Sequence, residues 1–312
     1  MVILVTGAAG FIGSHLSERL GKMGHSVRAV DCFTDYYSLR QKKLNATALE
    51  QHSIHCLPLD LATDVLDDVV EDVEVIYHLA AQPGLSATTT FDTFVRNNLT
   101  ATHQLIEACR RQSSLRLFVN VSTSSVYGIN ASGNESSEPK PTSNYGVTKL
   151  AAEQLVLSMS RDQGMPACSL RLFSVYGPRE RPEKLYPQLI SSILEGREFH
   201  LFEGSEHHLR SFTYVGDIID GMVAVLDKME ECTGEIFNIG TDVAITTGEG
   251  ISIVEEIVGK TAKIARKPKR AGDQLQTHAN IEKARSLLGY NPTTEVKAGL
   301  RKQIEWHMKH MV

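Results

Sequence analysis

A chain of 312 residues, 42% hydrophobic and 22% charged, has the apolar content for a large core, which excludes wholesale disorder. Lys plus Arg number 32 against 37 Asp plus Glu, a formal net charge of -5, so no basic excess exists to displace phosphate counterions and nucleic acid is excluded as the main partner. Cys32, Cys56, Cys109, Cys168 and Cys232 are odd in number, scattered and without C-x-x-C spacing, which argues against a disulfide framework or a structural zinc and for a reducing, cytoplasmic setting.

The first apolar run, Val2–Val5, is too short for a signal peptide and lacks a basic region before it, and no stretch reaches the roughly 18 apolar residues of a membrane span. Strands are predicted at 2–6, 27–30, 54–57, 75–79, 115–121 and 167–172, several of them apolar throughout, as strands covered on both faces must be. Helices are predicted at 11–23, 90–111 and 145–160. This alternation predicts an α/β fold with a doubly wound parallel sheet and right-handed connections. Residues 129–144, rich in Gly, Asn, Ser and Pro, read as a loop. After Arg171 the rhythm loosens, which predicts a smaller mixed α/β unit, with 211–239 returning to the sheet and an amphipathic helix over 295–310. The expected division is 1–172 plus 211–238 for the larger domain and 173–210 plus 239–312 for the smaller. The twelve histidines show no metal spacing, and no metal is expected.

Thr6-Gly7-Ala8-Ala9-Gly10-Phe11-Ile12-Gly13 follows the first strand and opens a helix. Glycine suits a turn with positive φ, close backbone approach to a pyrophosphate, and tight helix–strand packing, while the helix start offers free N–H groups. Asp31 ends the second strand, where a carboxylate accepts from both adenosine ribose hydroxyls and repels a 2′-phosphate; this favours NAD over NADP. A tight βα turn with no ligand is the bland alternative. Tyr145 and Lys149 stand four apart on one helix face, so a lysine cation and a positive nicotinamide would both favour the phenolate and make Tyr145 a base. Ser122-Thr123-Ser124-Ser125 sits at a strand end, where the Thr123 hydroxyl can bridge the reacting oxygen to Tyr145. A hydrophilic strand exit explains the same run without chemistry.

Together with Asp60-Leu61, HLAAQ (His78–Gln82), Asn98, YGVTK (Tyr145–Lys149), RLFSVYGPRERP (Arg171–Pro182), RSFTYVGD (Arg210–Asp217), FNIG (Phe237–Gly240) and RAGD (Arg270–Asp273), these motifs resemble the extended short-chain dehydrogenase/reductases over nearly the whole chain. The branch they resemble is that of the nucleotide-sugar epimerases and dehydratases. The resemblance implies a Rossmann domain holding NAD through Gly7, Gly10, Phe11, Ile12, Gly13, Asp31, Asp60, Leu61, Leu79, Ala80, Ala81, Asn98, Ser122, Tyr145 and Lys149. It implies Thr123, Tyr145 and Lys149 as the catalytic set, and a UDP-sugar held by Ser124, Ser125, Ser174, Arg181, Arg210, Arg270 and Asp273. It also implies a homodimer. Dehydratases and decarboxylases carry a carboxylate after the threonine; here Ser124 and Ser125 stand there, which favours 4-epimerisation. GPRERP is similar to the GPRQRP of UDP-glucuronate 4-epimerases, which places Arg181 near a sugar carboxylate. The chain departs from that pattern at Glu183-Lys184-Leu185, where D-M-A is usual, and at Leu85-Ser86, where V-R is usual. UDP-glucose or UDP-N-acetylglucosamine as substrate, and a non-catalytic NAD-binding sensor on the same fold, are the alternatives.

Overall fold

The computed structural model describes residues 1–84, 89–269 and 275–311. Seven parallel strands form the main sheet: β1 (Val2–Thr6), β2 (Ser26–Asp31), β3 (Cys56–Pro58), β4 (Val75–His78), β5 (Leu117–Thr123), β6 (Ala167–Leu172) and β7 (Ile236–Ile239). Their spatial order is β7-β6-β5-β4-β1-β2-β3. The direction of winding reverses between β1 and β4, and in such sheets ligands sit outside the carboxyl ends of the strands at this switch point. β4, β5 and β6 are buried at every position, because helices cover both faces. One core cluster joins Val5, Tyr77, Val119 and Leu170 to Ile218 and Phe237; a second, on the other face, joins Leu4, Ile76 and Phe118 to Leu105 and Val156.

Four helices matter for the crevice: α1 (Phe11–Lys22), α2 (Leu39–Glu50), α3 (Asn144–Gln163) and α4 (Val296–His310). α2 is absent from the sequence reading. The positions it buries are Gln41, Lys42, Asn45 and Leu49, three of them polar, so it carries no apolar stripe. The single helix expected at 90–111 is instead two α-helical pieces, Phe91–Phe94 and Ala101–Cys109, joined by a π-helical turn over Val95–Thr100. Asn130–Ala131, inside the expected loop, pairs with Gln276–Thr277 in a small four-stranded sheet that also holds Leu209–Arg210 and Ile245–Thr246. A third apolar cluster, with Tyr176, Tyr186, Phe212 and Leu300, forms the core of the later residues.

α3 is capped by the Ser143 hydroxyl, which accepts from Gly146 N, and ends on Gly164 in the left-handed conformation. It is tied to the sheet by charge. Arg171 on β6 meets Glu153 on α3 through Nη2–Oε1 at 2.6 Å and Nε–Oε2 at 3.0 Å, and both side chains are fully buried. Arg171 Nη1 also donates to Tyr127 Oη, which donates to Asn238 Oδ1 on β7. Removing one member of such a pair strands a buried charge. Arg171→Met is therefore expected to lower unfolding free energy by about 3–5 kcal/mol. The double variant Arg171→Met/Glu153→Leu should recover most of that, as read by urea unfolding followed by circular dichroism.

Candidate active site

The carboxyl ends of β1, β2, β4, β5 and β6 open onto one crevice of about 380 Å³. At the β1 end the chain turns at Gly7, with φ of +69°, where a Cβ would stand 3.0 Å from Ala80 N. A Cβ at Gly13 would overlap the Gly7 carbonyl. α1 starts from Gly10 with no side-chain cap, its first N–H groups have no intrahelical partner, and Gly10, Phe11, Ile12 and Gly13 line the crevice. This uncapped helix start, a cradle that tolerates no side chain, and a carboxylate at the end of β2 together fit a dinucleotide.

Asp31 is buried, and its Oδ1 accepts from Phe33 N at 2.8 Å and Lys42 Nζ at 3.3 Å. Lys42 escapes the sequence reading because it lies on the polar-faced α2. Tyr36 and Tyr37 complete this end of the crevice. Asp60 accepts from Arg96 Nη2 at 2.7 Å and from Ala62 N, contacts that hold its carboxyl below the usual range against the opposing effect of burial.

The wall between β1 and β4 is built on a directional chain of hydrogen bonds. Ala80 N donates to Thr6 Oγ1, which lies 2.9 Å from His78 Nδ1; His78 Nε2 lies 2.9 Å from Thr102 Oγ1, which donates to Asn98 O. Because the Thr102 hydroxyl proton is already committed, it accepts from His78 Nε2–H, and Nδ1 in turn accepts from Thr6. The ring must be neutral to do both. Burial, reinforced by the Lys149 charge, pushes its pKa down to about 3. Asn98, in the π-helical turn, stands behind the wall: its Oδ1 accepts from Gln82 N at 2.7 Å and its Nδ2 donates to Thr148 Oγ1 at 2.9 Å.

Thr123 ends β5 and Tyr145 opens α3. Both line the crevice; Thr123 Oγ1 donates to Ser125 Oγ at 3.3 Å and accepts from Ser125 N at 3.2 Å. Gly84 lies flat against the Tyr145 ring, since a Cβ there would come within 2.6 Å of Cγ. Tyr145 is partly accessible along the crevice, yet the protein packed around it pushes its phenol above the ordinary range. The nearby Thr123 hydroxyl and then the Arg181 charge oppose that rise. Lys149 is buried one turn along α3; burial pushes its ammonium down to about 8, and the charge of Glu153 holds it up. Ser122 Oγ is buried without a partner beside them.

Opposite Tyr145 lies the loop after β6. Ser174 and Arg181 line the crevice, and the Arg181 guanidinium sits 5.8 Å from the Tyr36 ring centroid. Burial pushes Glu180 up to about 7, and its Oε2 accepts from Gln303 Nε2 on α4. The loop is anchored by Arg179 to Glu18 and by His15 to Pro178 O. The lining thus unites every residue named from the sequence as catalytic, and all the cofactor residues except Asn98. Ser124, Ser125, Ser174 and Arg181 are also there. Arg210 is not part of that lining; its Nη1 donates to Leu209 O within the small sheet and its Nη2 lies 3.3 Å from His208 Nδ1. Arg270, Asp273, Leu85 and Ser86 lie outside the described residues. No group of three His, Cys, Asp or Glu among the described residues is placed to hold a metal.

His78 loses stability on acidification, because the unfolded ring binds a proton below about 6.5 and the folded ring does not until about 3. The contribution is complete above pH 6.5 and shrinks as pH falls. Between pH 7.5 and 5 this one group should remove about 2 kcal/mol from the parent. Urea unfolding of His78→Gln should show a correspondingly shallower loss.

The model of the NAD dependent epimerase/dehydratase family matches residues 3–240. A Bacillus subtilis protein described as an uncharacterized UDP-glucose epimerase, YtcB, is 39% identical, covering 98% of each chain. UDP-glucuronate 4-epimerase 4 of Arabidopsis thaliana is 34% identical over 99% of this chain and 76% of its own. The crystal structure of UDP-glucuronic acid 4-epimerase from Bacillus cereus, in complex with UDP-glucuronic acid and NAD, superposes with a TM-score of 0.95 at 38% identity, covering 99% of each chain.

Proposed function

The chain belongs to the NAD dependent epimerase/dehydratase family, and from that premise we propose that it is an NAD-dependent 4-epimerase of a UDP-sugar, converting UDP-glucuronate to UDP-galacturonate. The observation that carries this reading is that Thr123, Tyr145, Lys149 and Arg181 line the same crevice as the glycine turn. NAD, when bound, supplies a reversible hydride acceptor for the sugar C4, so the reaction has no net redox change.

Gly7, Gly10, Gly13 and the N–H groups of Phe11 and Ile12 would hold the pyrophosphate, and Asp31 with Lys42 the adenosine ribose. Asp60, Leu61, Leu79, Ala80 and Ala81 form the walls, with Asn98 fixing Gln82 behind them. Ser122 and Lys149 lie at the inner end. Tyr145 takes the proton of the sugar 4-hydroxyl, directly or through Thr123, and returns it after the sugar turns over. Lys149 keeps positive charge near the phenol. Ser124 and Ser125 offer hydroxyls and no carboxylate, which leaves elimination without a base. Arg181 grips the sugar carboxylate, assisted by Ser174, and so keeps a β-keto acid from losing carbon dioxide. Arg210, Arg270 and Asp273 are assigned to the diphosphate and nucleoside ribose.

The same reading divides the molecule into 1–172 plus 211–238 for NAD and 173–210 plus 239–312 for the nucleotide sugar. It takes the protein to be cytoplasmic, supported by five free cysteines. It also takes it to be a homodimer through the helices around residues 91–109 and α3, where Phe91 and Val147 are exposed. A neutral substrate, UDP-glucose, is the second reading, favoured by the description of the Bacillus subtilis relative. Incubation with UDP-glucuronate should yield UDP-galacturonate in the parent, and Tyr145→Phe should lose at least about 10² in kcat while still binding NAD. Conversion of UDP-glucose alone would replace the first reading with the second, and a UDP-pentose as the product would overturn both.

A further inference from the structure

Arg181 meets a carboxylate of its own chain. Its Nη1 lies 2.6 Å from Glu183 Oε1, an ion contact across two residues of the same loop. That nitrogen is buried and makes no hydrogen bond of acceptable angle, so the guanidinium has the charge of a carboxylate beside it while its donor is still unspent. The second carboxylate nearby, Glu180, is buried and accepts from Gln303 Nε2 through its Oε2, and it makes no ion pair with Arg181 among the described residues. Glu183 is the accessible member, its side chain about 40% exposed against 14% for Arg181, so it can swing away from the crevice into water.

From this juxtaposition we infer that Glu183 is a specificity-determining residue: an internal carboxylate that occupies Arg181 until the carboxylate of an acidic nucleotide sugar displaces it. The inference rests on the proposed acidic substrate. An anionic sugar must compete with Glu183 for the guanidinium, and it makes the better-angled, charge-assisted bond that Glu183 leaves unmade. A neutral sugar has no group that can take over the pair; it meets Arg181 already neutralised. Glu183 thus lowers affinity for acidic sugars and leaves that for neutral ones almost untouched. It keeps Arg181 from binding other small anions when the crevice holds no sugar.

The test compares dissociation constants for UDP-glucuronate and UDP-glucose by calorimetry, in the NAD-loaded full chain carrying Tyr145→Phe to prevent turnover. Adding Glu183→Gln, which keeps shape and removes charge, should tighten UDP-glucuronate by roughly twofold to fivefold relative to UDP-glucose, the range of a partly exposed ion pair. Glu183→Asp should return the ratio toward the parent. An unchanged ratio, or weaker UDP-glucuronate binding in Glu183→Gln, would overturn the inference, the latter by making Glu183 a helper of Arg181. If the protein with Tyr145 intact converts UDP-glucuronate and the ratio stays fixed, only the role of Glu183 falls. If it converts none, the substrate reading falls and the role of Glu183 with it.

Discussion

A tyrosine enclosed by protein keeps its proton unless something nearby favours the anion, and the chemistry proposed here depends on how that contest is settled at Tyr145. Burial raises the phenol; the Thr123 hydroxyl and then the Arg181 charge oppose that rise and favour the anion. The two opposing groups come from parts of the chain far apart in sequence, the end of β5 and the loop after β6. A base at this position is therefore a property of the assembled fold, and no segment of the chain carries it alone.

The sheet makes the assembly possible. Because all seven strands run parallel, their carboxyl ends share one edge, and short excursions beyond β1, β2, β4, β5 and β6 meet there without long loops. The rigid supports lie one layer back. His78 links Thr6 to Thr102, Asn98 links Gln82 to Thr148, and the Arg171–Glu153 pair ties α3 to the sheet. These buried polar contacts spend stability on placement, and a neutral His78 between two threonine hydroxyls is a clear instance.

Much of this was legible in the residues. The glycine turn, Asp31 and the strand rhythm carry strong local signals, because a buried parallel strand is apolar throughout and a pyrophosphate needs backbone without side chains. The Tyr145–Lys149 spacing located the helix face, and Thr123 the strand end. α2 was not legible, because its buried face is polar and periodicity finds only apolar stripes; Lys42 was lost with it. The π-helical turn that aims Asn98 leaves the sequence pattern of an ordinary helix. The influence of Arg181 on Tyr145 depends on tertiary approach, which no spacing in the sequence reveals.

The most direct measurement is an ultraviolet difference titration of tyrosinate in the NAD-loaded protein, parent minus Tyr145→Phe, repeated in the Thr123→Val background. The account requires a single ionisation assigned to Tyr145 that moves upward when the Thr123 hydroxyl is removed. An ionisation unmoved by that change would contradict it.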